Sequence, residues 1–142
     1  MAYRTSYGLI QVQNTTTHSW VTLPLKYIRY ETYKVTPDQM LDLDSYTSET
    51  GLLIRNVLDH TRSKIEFNTP YITNTEFQAL LAIIKDGYTK PAERRLRLRY
   101  YDPEIDGYRL GYFYRPDIDY TVRNIDGAEI NYSEIRIAFI EY

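Results

Sequence analysis

Few side chains in this 142-residue chain have a type and spacing suited to chemistry. The two histidines, His18 and His60, fall in predicted turns. There is no cysteine, and no Asp or Glu recurs around either histidine at ligand spacing. A zinc or nucleophile site would need partners brought in by the fold. Asp102-x-Glu104-x-Asp106-Gly107 copies the opening of a calcium loop. An EF-hand loop closes with a bidentate Glu at its twelfth position. That position is Phe113 here, and the flanks read as strands. Asp42-x-Asp44 places Thr47 where the loop needs its sixth-position Gly. The six glycines are scattered, so no phosphate-cradling loop forms. One pattern has more substance: Arg95, Arg97 and Arg99 share a face of a predicted strand with Tyr101. Such a row suits a phosphate backbone or a set of carboxylates across a sheet. With 19 Asp plus Glu against 17 Lys plus Arg, the carboxylates are the expected partners. No acid, base and nucleophile set is visible. The chain reads as a non-enzyme without cofactor or metal, and its role is sought in assembly.

Composition narrows the class. One domain spanning 1–142 is expected from the length. A net charge of −2 gives no bulk attraction for nucleic acid or an anionic membrane. No run approaches the ~18 apolar residues of a membrane span, and Met1–Ile10 lacks the apolar core of a signal peptide. A soluble product of a cytoplasm is expected. Tyrosine is the outlier: 16, against 6 Gly and 6 Pro. Tyrosine suits pleated, half-buried surfaces and interfaces with one apolar and one wet side.

The elements that must position these residues are nearly all strands. Short strands are expected at 8–13 and 20–23, within an N-terminal segment 1–24. Leu25–Thr36 alternates over its whole length and reads as a long strand with mixed faces. Residues 37–50 have no steady period and read as an arm loop that orders on a partner. Residues 51–59 and 63–68 read as a hairpin. The one convincing helix covers about 74–86. Thr73-Asn74-Thr75-Glu76 opens it as a capping box, and Phe77, Leu80, Leu81 and Ile84 form its apolar stripe. Gly87 is expected at its C′ position. Strands follow at 94–101, 108–114, 117–124 and 129–142, with a hairpin turn at Asp126-Gly127. The sum is a mostly β, two-sheet sandwich or barrel of about eight or nine strands with one flanking helix.

Several phrases then read together: Asp44-Ser45-Tyr46, Gly51-Leu52-Leu53-Ile54-Arg55, Lys64-Ile65-Glu66-Phe67 and Pro70-Tyr71-Ile72-Thr73 with Phe77 and Leu80-Leu81. Later come Tyr100-Tyr101-Asp102-Pro103, Gly107-Tyr108, Gly111-Tyr112-Phe113-Tyr114 and Phe139-Ile140-Glu141-Tyr142. This set resembles small tail proteins of long-tailed, siphovirus-type bacteriophages of Gram-positive bacteria, and covers roughly residues 25–142. The resemblance implies a tail-tube or distal-tail-like fold and a structural place in the virion. It implies a homo-oligomeric, hexameric ring around a channel that passes DNA without sequence-specific binding. Neighbours would be tube, tape-measure and tail-tip hub proteins, with no membrane insertion. A distal-tail or baseplate adaptor leads; tube subunit and completion or terminator protein are the alternatives. The expected interface is Tyr27, Arg29, Tyr30, Glu31, Tyr33, Leu41, Leu43, Asp44 and Tyr46. A carbohydrate-binding β-sandwich, with Trp20 as its stacking platform, is the rival from another class.

Overall fold

The computed structural model describes residues 3–39, 46–47, 53–54 and 62–142, with the backbone alone at 46–47 and 53–54. The helix forms where its local signals place it. The Thr73 hydroxyl accepts the Glu76 backbone N–H at 3.2 Å and donates to Glu76 Oε1 at 3.1 Å. α1 then runs Asn74–Lys85, with Glu76 in its first turn and Lys85 in its last, matching the helix dipole at both ends. Phe77, Leu80, Leu81 and Ile84 are all buried. A helix of three turns is marginal alone; burying each of these side chains contributes about 1.5–3 kcal/mol. Tertiary packing therefore holds the helix in place.

The strands are β1 Ile10–Gln13, β2 Trp20–Thr22, β3 Lys34–Gln39, β4 Tyr46–Thr47, β5 Leu53–Ile54, β6 Arg62–Asn68 and β7 Ile72–Thr73 before the helix. After it come β8 Tyr88–Lys90, β9 Arg95–Asp102, β10 Gly107–Tyr114, β11 Val122–Asp126, β12 Glu129–Tyr132 and β13 Arg136–Glu141. An eight-stranded antiparallel sheet has the order β2-β1-β9-β10-β13-β6-β3, with β8 also paired to β9. A three-stranded sheet has the order β11-β12-β7, and β4 pairs with β5. The core lies on one face of the large sheet. Ile10, Leu96, Leu98, Phe113, Phe139 and Phe67 meet the helix stripe there, together with Ile72 of the small sheet. The expected two-sheet β architecture with one helix is what forms.

Several expected elements differ. Leu25–Thr36 is not one strand: Leu25–Tyr27 is a 3-10 turn behind Pro24, residues 30–32 turn again, and only Lys34–Gln39 extends. Tyr27 and Ile28 are adjacent and both buried; a half-exposed strand would send them to opposite faces. Glu31 adopts φ 74°, a left-handed turn that breaks the run. The expected 37–50 arm loop opens in a strand instead: Pro37 sits inside β3, which is possible because β3 is an edge strand among the described residues, with a register shift between Thr36 and Gln39. The 51–59 and 63–68 hairpin does not form: Leu53–Ile54 pairs with Tyr46–Thr47, and β6 pairs with β13 and β3. The rest of 51–59 lies outside the described residues. The last strand is two, β12 and β13, separated by 133–135. The expected 117–124 strand narrows and shifts to Val122–Asp126. β8, Tyr88–Lys90, is a strand that the sequence pattern does not announce, and it pairs with β9.

Gly87 does not take the left-handed C′ conformation; among the described glycines, only Gly8 and Gly127 have positive φ. Its lack of a side chain serves packing instead. A Cβ there would stand 2.2 Å from Val12 Cγ1 and 3.3 Å from the Gln13 carbonyl oxygen. Gly87→Ala is expected to lower stability by about 1–3 kcal/mol through overpacking. Val12→Ala in the same chain should recover part of that loss, so the double variant melts above the sum of the singles. Strictly additive melting temperatures would show that Val12 is not the obstacle.

Candidate assembly surface

The outer face of the large sheet is set by register. Leu96, Leu98 and Tyr100 of β9 point into the core, so Arg95, Arg97 and Arg99 point out. Trp20 of β2 pairs with Gln13, Gln11 with Arg99, and Tyr112 of β10 with Arg97. The outward positions of four strands therefore converge, and rings interleave with the guanidinium groups. Arg95 Cζ lies 4.6 Å from the Tyr112 ring centroid and 4.8 Å from that of Tyr142. Arg97 lies 5.8 Å from Tyr112 and 5.9 Å from Trp20. Arg99 lies 4.5 Å from Trp20 and 4.7 Å from Tyr7, and donates to Gln11 Oε1 at 3.0 Å. Each such contact contributes about 0.5–1 kcal/mol. The arginine row was expected to pair with carboxylates. Its partners are aromatic instead, and none of the three forms an ion pair among the described residues. One face of the Trp20 ring is thereby taken by Arg99, and the indole is not an open platform.

Farther across the same face, Lys34, Lys64 and Arg136 surround Glu66 by register. Burial raises the Glu66 carboxyl, but the hydrogen bond and charge of Arg136, then Lys64 and Lys34, hold it below the ordinary value. Cations therefore outnumber carboxylates on this face: Lys34, Arg62, Lys64, Arg95, Arg97, Arg99 and Arg136 stand outward with Glu66, within a chain of net charge −2.

The expected interface residues divide. Tyr27 belongs to the core. Tyr33 packs against the core and donates its hydroxyl to the Tyr101 carbonyl at 3.0 Å; burial pushes its phenol far up. Arg29 pairs with Glu134 at the surface, and that hydrogen bond raises the guanidinium further. Tyr30 is 73% exposed, in the turn that holds Glu31. Tyr71, also exposed, lines a shallow hollow with Arg29, Pro70 and Glu134, and Arg123 sits 4.8 Å from its ring centroid. Tyr46 lies in β4; Leu41, Leu43 and Asp44 lie outside the described residues. Tyr27 is buried and Tyr33 half-buried because turns replace the alternation expected of residues 25–36.

The small sheet ends in an open edge. Among the described residues β11 is paired on one side only, by β12. Residues 119–128 are exposed without interruption, including Tyr120, Val122 and Ile125. The bulge between Val122 and Asn124 restores the phase, so Val122 and Ile125 share a face with their partners Tyr132 and Ile130. The Asp126-Gly127 turn forms as expected, with Gly127 at φ 63°. Glu129 ties this hairpin to the helix: its carboxylate accepts the Thr75 backbone N–H at 3.0 Å and the Thr75 hydroxyl at 3.1 Å. Those two bonds, the backbone one first, hold the Glu129 carboxyl below its ordinary value. A lowered native value means stabilisation that is full above the unfolded-state pKa of about 4.3 and lost as pH falls through the native one. Glu129→Gln is expected to lower Tm by about 1–3 °C at neutral pH, and the gap should close on acidification. A gap independent of pH would rule out the carboxylate's role.

The acidic turn after β9 is not a cation loop. Asp102 is fully buried, caps the Glu104 N–H at 2.9 Å and lies 2.7 Å from Arg109 Nε. Asp106 accepts the Tyr101 hydroxyl at 2.6 Å. Among the described residues, no three His, Asp or Glu side chains cluster as a metal site, and no helix is long and apolar enough to cross a membrane. His18 sits in the β1–β2 turn at φ 59°; His60 lies outside the described residues.

Two solved structures share this architecture from end to end. One is a chain in the tail of an empty gene transfer agent particle, determined by helical refinement with C6 symmetry. It superposes with a TM-score of 0.53 at 18% identity, over 99% of this chain and 95% of that one. The other is a chain in the virion of a native gene transfer agent particle, with a TM-score of 0.50, 18% identity and the same coverage. No curated protein matches the sequence. A family model does, over residues 9–142, and the chain belongs to that family of unknown function, DUF6711.

Proposed function

We propose that this protein is a structural subunit of a phage-type tail, assembling into a ring around the channel through which DNA passes. The end-to-end correspondence with a chain from a C6-symmetric tail carries the reading. The open β11 edge and the amphipathic outer face of the large sheet support it, since an edge strand and a half-apolar sheet are hazards in a monomer and joints in a ring. Arg29, Tyr30 and Glu31, with Leu41, Leu43, Asp44 and Tyr46, are proposed to contribute to the joint; Tyr27 and Tyr33 serve the subunit's own core. The resemblance in sequence favours a distal-tail or baseplate adaptor at the tail tip, touching tube, tape-measure and hub proteins. The second reading, a repeated tube subunit, is favoured by the helical refinement of the similar tail.

Purified protein examined by multi-angle light scattering and negative-stain microscopy distinguishes these. Discrete rings support the adaptor, and stacked tubes support the tube subunit. A protein that stays monomeric up to its solubility limit refutes the ring. A glycan-array signal from such a monomer would favour the carbohydrate-binding rival.

A further inference from the structure

We propose that the arginine–aromatic ladder on the outer sheet face receives the exposed 117–126 segment of a second copy of this chain. The inference rests on the ring reading above and names the two surfaces that would meet.

Charge is segregated in the subunit. The outer face is strongly cationic in a chain of net charge −2, so the rest of the molecule carries the excess of acid. Within the ladder the three guanidinium groups are not equally satisfied. Arg95 is held between two rings below 5 Å, though its buried Nε has no hydrogen-bond partner among the described residues, and Arg99 by two rings and Gln11. Arg97, at the centre, stands at 5.8 and 5.9 Å from its rings and has no hydrogen bond or ion pair among the described residues. It is half-buried among rings, where a carboxylate would find a partly desolvated cation.

The 117–126 segment has the complementary make-up. Asp117, Asp119 and Asp126 stand against one cation, Arg123, which is already engaged on Tyr71. Asp117 is engaged by Arg94 at 2.7 Å, so Asp119 and Asp126 are the acids available. Between them Tyr120, Val122 and Ile125 are exposed on a strand with one open edge. Acid and apolar groups on one surface therefore match cation and aromatic groups on the other. Within one subunit only Asp117 comes near the ladder, through Arg94 at its end; among the described residues Asp119 and Asp126 form no ion pair with Arg95, Arg97 or Arg99. The contact is heterologous, with a different patch on each partner, which is the kind that propagates into a ring.

Sedimentation velocity on wild type, Arg97→Glu, Asp119→Lys and the double reversal tests this. Circular dichroism melts and Arg97→Gln serve as folding controls. Each single reversal is expected to weaken self-association at least ~10-fold, the equivalent of about 1.4 kcal/mol. The double reversal should recover a substantial part, and Arg97→Gln should fall between. If wild type associates and the single reversals, folded, associate equally well, the surfaces are wrong while the ring reading stands. If wild type never associates, the ring reading itself fails, and this contact with it. If Arg97→Glu leaves association intact but abolishes binding of a single-stranded oligothymidylate, the ladder is a nucleic-acid surface and the proposal is overturned.

Discussion

Leu80→Asp is expected to leave no cooperatively folded subunit. Leu80 is 0% exposed, in the middle of the helix stripe and within the core cluster. Truncating a buried Leu to Ala already costs about 2–5 kcal/mol. An aspartate adds an unpaired carboxylate in an apolar site, for several kcal/mol more. Together these reach or exceed the 5–15 kcal/mol by which such domains are stable. Gln78→Asp, two residues away on the exposed side of the same helix, should stay within about 0.5 kcal/mol of wild type. Far-UV circular dichroism melts of the two variants give the readout. A cooperative transition in Leu80→Asp near the wild-type temperature would mean that the helix stripe does not seal the core.

That contrast shows what the sequence could disclose. The helix was legible because its signals are local: a Thr73 cap, Glu76 three residues on, and apolar groups at helical spacing. β9 and the Gly127 turn were legible for the same reason, as period-two alternation and turn chemistry. Residues 25–33 were not. Their alternation fits a strand, and the features that override it, a turn behind Pro24 and Glu31 in a left-handed conformation, are fixed by burial of Tyr27 and Ile28. The candidate surface was half legible. The arginine row stood out on β9, but its ring partners come from Tyr7, Trp20, Tyr112 and Tyr142, far away in the chain. Only strand order makes them neighbours, and register parity then puts them on the arginine side. The adjacency of β9 and β10 accounts for Tyr112 alone; Trp20 needs β2 placed beyond β1, and Tyr142 needs β13 placed beside β10. The same holds for Gly87, whose reason for being glycine is Val12, a residue on another strand.

Arg109→Met is expected to destabilise the subunit by about 3–5 kcal/mol, because it strands a buried carboxylate. Arg109 reaches from β10 to Asp102 at the end of β9 and to Asp38 at the end of β3. The two acids are not equivalent. The Asp102 side chain is 0% exposed, and its Oδ2 has the Arg109 charge beside it without a well-directed hydrogen bond. The Asp38 side chain is 43% exposed, accepts two bonds from Nη1 at 3.0 and 2.8 Å, and is half in solvent. Removing Arg109 therefore costs mainly through Asp102. Asp38→Ala should cost no more than about 1 kcal/mol, as an exposed pair does. Asp102→Asn combined with Arg109→Met removes the stranded charge and should return much of the loss. Asp38 also donates its backbone N–H to Ser63 Oγ, and Ser63 donates its own to Glu141 Oε1. The same seam thus joins β3, β6, β10 and β13, in a sheet where β10 and β13 pair directly at only two positions, Phe113 with Glu141 and Tyr114 with Ile140. Urea melts of the four variants decide the matter. If Asp38→Ala costs as much as Arg109→Met, the exposed pair is the anchor and the buried carboxylate is not. If the double variant is no better than Arg109→Met alone, the guanidinium acts by packing across that seam rather than by charge.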